Sequence, residues 1–403
     1  LSVFINMIDS NNVIINLQFK KNILKFAHSK VNYLIYCMCM NVLKKSGCIV
    51  LLLLLLAIPT WASVRYSAGN TQIVFTGRVD NSNPAIAKFV YPGTAIYAVF
   101  TGSSIKAVMK PAEAYYMVEI DNIPAYKIAS SKKDSIMTIA TDLQPGKHTL
   151  KLTLVSEAYH QRPEFHAFLL DDGAKLTGKP KMPKRKIEFI GNSITCGYGV
   201  EADNARSRFS DSNSNHYYSY PAIAARAFGA QTMVVARSGI GIYRNYNGPK
   251  NGSKDNMRDV YENILYTDYS KKWDFSKFKP DVVCVNLGTN DTSTNPYDVM
   301  LIIKGYREFL KTLRGHYPKA KIVFVTGSML NDKSLEDVTT ILDLVVAEAK
   351  ANGDDKVYRI DLTPSDGSLG YGADWHPSIS QNVKSSEEFI TALESITGWK
   401  RKK

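Results

Sequence analysis

Two different rhythms of apolar residues divide most of this chain. Between about residues 63 and 180 the apolar positions fall in short or alternating runs, at 72–75, 87–91, 96–100, 108–109, 115–120, 126–128, 135–140, 148–154 and 166–170. Turn-forming groups such as Asp80-Asn81-Ser82-Asn83-Pro84, Pro92-Gly93, Asp121-Asn122 and Pro145-Gly146 separate them. Alternation buries one face of a strand and wets the other. Many short strands at close spacing predict a β-sandwich or jelly roll. No segment here has the length and 3.6-residue period of a helix. Polar residues with Gly and Pro over 171–184 then predict a linker. From 185 to 403 the rhythm changes. Strand-like apolar runs at 186–190, 231–235, 281–287, 320–326 and 356–360 interleave with helical patterns at 217–228, 297–316, 334–351 and 380–396. Apolar strands separated by helices predict an α/β domain with a parallel sheet.

Residues 1–62 follow neither rhythm. Over 40–62, Met40 leads through Lys44 and Lys45 into an apolar run at 48–58, with small residues Thr60 and Ala62 after it. This reads as a secretory signal peptide. Its 11 apolar residues are too few to span a bilayer comfortably, so stable membrane insertion after cleavage is not expected. Cys48 precedes the apolar run, which argues against a lipoprotein signal. Residues 1–39 are read as a spurious or unstructured extension, with Met40 as the start and a mature chain from near Ser63, secreted to a periplasmic or extracellular space.

That division changes the charge picture. The whole chain carries +13; from residue 63 onward the balance is 44 basic to 36 acidic residues, a mild +8. The lysines are scattered, apart from a cluster in the linker at Lys179, Lys181, Lys184, Arg185 and Lys186, so a nucleic-acid partner is not expected. Cys196 and Cys284 remain, each in or beside an apolar segment, and burial of both is expected. Without a Cys/His ligand cluster, no metal or cofactor is expected.

Ligands of parallel sheets sit past the carboxyl ends of the strands. The first strand runs into Gly191-Asn192-Ser193-Ile194-Thr195-Cys196-Gly197, a serine at a tight turn. The spacing is neither G-x-S-x-G nor a phosphate-binding glycine loop. The second strand runs into Ser238-Gly239, the third into Gly288-Thr289-Asn290-Asp291, and the last is followed by Asp374-Trp375-His376-Pro377. A serine, a glycine amide, an asparagine amide and a histidine at four strand ends supply a nucleophile, oxyanion donors and a base. His216, before a helix and beside the Ser193 loop, keeps a minor substrate role open. His148, His160, His166 and His316 read as structural or solvated. A thiol nucleophile at Cys196 or Cys284 is the weaker alternative.

These blocks resemble those of the SGNH (GDSL-type) hydrolase superfamily, with Asn192 where that pattern usually has Asp. Together with Phe75-Thr76-Gly77-Arg78 and Asp374-Trp375-His376-Pro377, the chain resembles carbohydrate esterase family 2, in which a jelly-roll domain precedes a three-layer α/β SGNH domain. The resemblance implies removal of O-acetyl groups from plant polysaccharides such as acetylxylan or acetylated glucomannan. It implies Ser193 as nucleophile and His376 as base. The Ser193 and Gly239 amides and the Asn290 side chain would form the oxyanion hole, and Trp375 a wall against a sugar ring. Asp374, two residues before the histidine, is expected to complete a triad, a Ser-His dyad being the alternative. Tyr91, Tyr97, Tyr115, Tyr116 and Tyr159 are candidate glycan-binding aromatics, though sheet core is their simpler role. The rival functions are an esterase for another O-acyl group and a non-catalytic glycan-binding protein.

Overall fold

The computed structural model describes residues 63–402 except Thr267 and Asn295. Residues 1–62, read above as a signal peptide and an extension before it, lie outside the described residues. The first part contains β1 (Val64–Ser67), β2 (Val74–Thr76), β3 (Ala87–Lys88), β4 (Ala95–Thr101), β5 (Ile105–Met109), β6 (Tyr115–Ile120), β7 (Tyr126–Ala129), β8 (Ile136–Ala140), β9 (Lys147–Leu154) and β10 (Glu164–Leu170). They form two antiparallel sheets, β1-β10-β5-β8 with β3 on β10, and β2-β4-β9-β6-β7. Alternate residues such as Ile105, Ala107 and Met109 point into a core shared by Phe89, Phe100, Leu152, Phe165 and Phe168. This is a β-sandwich built by period-two burial.

The second part holds β11 (Lys186–Gly191), β12 (Gln231–Ala236), β13 (Val282–Asn286), β14 (Lys321–Thr326) and β15 (Val357–Asp361), all parallel, in the order β12-β11-β13-β14-β15. Both faces are covered, so the strands read as continuous apolar runs. Val283, Val285, Ile322 and Phe324 join a core with Tyr306 and Phe309 of the helix Val299–His316 and Ile341 and Val345 of the helix Asp332–Ala351. The intervening residues Cys284, Val323 and Val325 join one on the other side with Ala224 and Phe228 of the helix Tyr220–Phe228 and Phe389 and Leu393 of the helix Ile379–Thr397. The neighbours of β11 follow it in sequence on opposite sides, so the strand order reverses at its carboxyl end. That crevice is where an open parallel sheet binds ligand.

The two parts pack against each other. Arg78, just after β2, is fully buried, with Nη2 3.3 Å from Glu188 Oε1 on β11. No helix among the described residues is long and apolar enough to cross a membrane.

Candidate active site

β11 ends at Gly191 because the chain must turn sharply there. A Cβ at Gly191 would run into the side chain of Thr195. Asn192 is extended and caps the turn Ser193–Cys196, its Oδ1 accepting from the Ile194 amide at 3.0 Å. Ser193 is thereby held at the switch point. It is 7% exposed, and its Oγ lies 2.8 Å from His376 Nε2.

The other imidazole nitrogen decides how the pair works. His376 Nδ1 faces two carbonyl oxygens, of Ala373 at 3.1 Å and Asp374 at 3.2 Å. A carbonyl only accepts, so Nδ1 carries the proton and Nε2 presents its lone pair to the Ser193 hydroxyl. Burial pushes the imidazole down to about 4, with the two carbonyls pulling the other way. The ring is therefore neutral at neutral pH, the form a general base needs.

The carboxylate expected to complete a triad does something else. Asp374 accepts from Tyr198 Oη at 2.8 Å and from the Phe209 amide at 3.3 Å. Asp374 and Trp375 have φ of +50° and +59°, two consecutive non-glycine residues in the left-handed region. That turn aims the backbone carbonyls at the imidazole and sends the Asp374 side chain to Tyr198 and Phe209. The Tyr198 ring stacks on His376 at 4.0 Å between centroids and on Phe209 at 4.4 Å. Asp374 is thus tied to the aromatic plate behind His376. The Nδ1 of His376 faces carbonyl oxygens, and the Asp374 carboxylate, expected to complete a triad, bonds to Tyr198 and Phe209 instead of to the imidazole.

Gly239 follows β12 with φ +79°. A Cβ there would meet nothing nearer than the Tyr246 Cβ at 3.9 Å, so the backbone conformation, and not space, calls for glycine. The Ser193 and Gly239 amides donate to no acceptor among the described residues. Asn290, after β13, gives one Nδ2 hydrogen to the Ile240 carbonyl at 2.9 Å and keeps the other. Asp291 ties the loops together. Its carboxylate accepts from the amides of Ile242, Tyr243 and Arg244 at 2.8–2.9 Å and of Gly288 at 3.2 Å. Trp375 stands beside His376 with 58% of its surface exposed.

Each of the two parts matches a family of sequences. Residues 75–180 match the carbohydrate esterase 2 N-terminal model, and residues 189–380 match the GDSL-like lipase/acylhydrolase model. A solved family two carbohydrate esterase from Clostridium thermocellum, in complex with cellohexaose, is 34% identical with a TM-score of 0.77, over 81% of this chain and 99% of that one. The chain belongs to carbohydrate esterase family 2. Family 2 members are carboxylic ester hydrolases, and this chain carries the jelly-roll and SGNH parts together. The cellulase/esterase CelE of Acetivibrio thermocellus is 35% identical over 332 residues; the match covers 82% of this chain but only 40% of CelE. An acetylxylan esterase / glucomannan deacetylase of Cellvibrio japonicus is 26% identical over 339 residues, covering 83% and 91%.

The remaining candidates in this family 2 chain fall outside the pair. His216 is buried, its Nδ1 2.8 Å from the Thr195 carbonyl, and burial pushes it down to about 4; that contact braces the serine turn. Cys196 and Cys284 are buried, and burial pushes both thiols well above their usual range, which disarms them as nucleophiles. Tyr91 and Tyr116 are buried, while Tyr97, Tyr115 and Tyr159 are half-buried. Among the described residues no cluster of His, Cys, Asp and Glu could hold a metal ion. Sequence reasoning missed Tyr198 and Asp291. Tyr198 sits between two glycines in a Gly-Tyr-Gly run, and Asp291 directly follows Asn290.

Proposed function

We propose that this protein is a serine esterase that removes O-acetyl groups from plant polysaccharide, acetylxylan or acetylated glucomannan, through an acetyl-enzyme. The observation that carries this reading is the 2.8 Å contact between Ser193 Oγ and a neutral His376 Nε2, next to an exposed Trp375. His376 Nε2 takes the hydroxyl proton as Ser193 Oγ bonds to the acetyl carbonyl carbon. The oxyanion is held by the amides of Ser193 and Gly239 and the free Nδ2 hydrogen of Asn290. The C–O bond to the sugar breaks, His376 returns the proton to the sugar oxygen, and a water activated by His376 releases acetate. Trp375 offers its face to a pyranose ring beside the scissile ester. The names of the Cellvibrio japonicus relatives, and the cellohexaose bound by the Clostridium thermocellum structure, favour a polysaccharide over a lipid ester. The signal-like segment at 40–62 fits action outside the cytoplasm.

The test is acetate release from an aryl acetate, acetylated xylan and acetylated glucomannan by the chain from residue 63, with Ser193→Ala as control. Release that prefers a polysaccharide and falls at least ~10³-fold in Ser193→Ala is expected. Release from the aryl acetate alone would discard the polysaccharide substrate, and equal release by both proteins would discard the enzyme.

A further inference from the structure

The residue that grips the oxyanion loop comes from the β-sandwich. Glu157 lies between β9 and β10, 5% exposed. Its Oε1 accepts from the Ser238 amide at 2.6 Å, and its Oε2 is hydrogen-bonded to Ser238 Oγ. Ser238 immediately precedes Gly239. A two-point grip on its amide and hydroxyl restrains both its backbone and its side-chain rotamer, and so the plane of the peptide that carries the Gly239 N–H. The segment that holds Glu157 is itself anchored on both sides. The Val155 amide donates to the Tyr115 carbonyl at 2.8 Å, and the Ala158 amide donates to the Val90 carbonyl at 3.1 Å, both within the sandwich. The Val155 carbonyl accepts from the His216 amide of the α/β part at 2.9 Å.

We propose that Glu157 is a positioning residue for the oxyanion hole, so that the β-sandwich is a working part of the esterase site and not only a separate module. The proposal rests on the esterase reading of Ser193 and His376. A loose Gly239 amide samples directions away from the developing oxyanion, and a donor aimed in advance is what makes such a hole effective. Burial pushes the Glu157 carboxyl up, and either protonation state keeps the grip. The ionised form accepts from both Ser238 groups; the neutral form accepts the amide and donates to the hydroxyl. A glutamine repeats the second arrangement, with its oxygen on the amide and its NH₂ on the hydroxyl.

The experiment compares Glu157→Ala and Glu157→Gln with the unsubstituted protein on an aryl acetate, with active serines counted by phosphonate titration and assays run below each protein's unfolding transition. Glu157→Ala is expected to lose about 10- to 100-fold in kcat per active serine with KM changed less than about twofold, because removal of one oxyanion donor costs ~10²–10³. Glu157→Gln is expected to recover most of it. A purely structural Glu157 would lower the number of titratable serines or the melting temperature and leave kcat per serine intact, which would overturn the proposal. Equal loss in Glu157→Gln would also overturn it, since the hydrogen-bond grip would then not be the cause. An unsubstituted protein with no serine-dependent release would remove the esterase reading and this inference together. Activity that survives in full in Glu157→Ala would remove the inference alone.

Discussion

At the scale of single residues, His376 bonds to Ser193 on one side and to backbone carbonyls on the other, and substitutions should reveal whether the pair works without a carboxylate. Where a carboxylate orients a catalytic histidine, its loss typically costs ~10⁴ in kcat. Here the Nδ1 proton goes to the Ala373 and Asp374 carbonyls, which no side-chain change removes. Asparagine tolerates the left-handed conformation of residue 374 and can still accept from Tyr198 or Phe209. Asp374→Asn is therefore expected to reduce kcat on an aryl acetate by less than about 10-fold; a loss near the triad figure would show that the carboxylate acts on the imidazole after all. The pH profile follows from the burial of His376. The base works unprotonated, so kcat/KM rises with pH through its pKa and then stays level. With that pKa pushed down to about 4, the acid limb should have its midpoint near 4. A midpoint between 6 and 7, the range of a solvated imidazole, would contradict the buried setting. Ser193, Gly239, Asn290 and His376 could be picked out because residue type and position at a strand end were both visible in the chain. The destination of the Asp374 side chain was not, because it depends on two non-glycine residues taking positive φ.

At the scale of elements, apolar rhythm located strands and helices, while polar groups at their ends set where they begin. The pattern suggested a helix over 297–316. The helix is Val299–His316, because Asp298 is extended and its Oδ1 caps the amides of Met300 and Leu301 at 2.9 and 3.3 Å. The helical pattern at 217–228 breaks into a 3₁₀ turn, His216–Tyr218, and a helix from Tyr220. Ser219 between them is extended, and Pro221 sits in the first helical turn. That break matters for the site, since it lets His216 reach the Thr195 carbonyl of the serine turn. β1 escaped notice because its burial alternates only between partial and exposed, leaving no apolar run. The stretch 171–184, read as a linker, divides in two. The Lys175 carbonyl accepts from the Thr101 amide and the Thr177 amide donates to the Val99 carbonyl, with Leu176 buried, so its first half folds back onto β4. Those bonds are non-local, and composition does not register them. Strand order is invisible in the same way. The sequence shows five apolar strands but not that the order reverses beside β11, which is what makes the loop after that strand the crevice.

At the scale of the whole molecule, the decisive contacts join residues far apart in the chain. Arg78 leaves the sandwich and enters the α/β part with no exposed surface. Its Nη1 donates to the carbonyls of Tyr261 and of Asn263, the latter at 2.9 Å. Its guanidinium lies 4.8 Å from the Tyr261 ring centroid, and its Nη2 pairs with Glu188 on β11, which also accepts from Tyr261 Oη at 3.1 Å. Two charges taken out of water are costly, and their mutual attraction offsets that cost only while both are present. Arg78→Ala would leave the Glu188 carboxyl buried without its cation and open a void among aromatic rings. It is expected to destabilise the protein by about 3–5 kcal/mol, read as a shift of the denaturant midpoint. Replacing both partners with methionine removes the uncompensated charge, so the double variant should be more stable than Arg78→Ala even though it carries more changes. The pair sits away from the strand ends that carry the dyad. Below the transition, kcat per titrated serine should therefore stay within about twofold in both variants, unlike the loss expected at Glu157. A double variant no more stable than Arg78→Ala would mean that the buried charge is not what holds the sandwich to the sheet. The aromatic packing around the guanidinium would then have to carry that attachment instead.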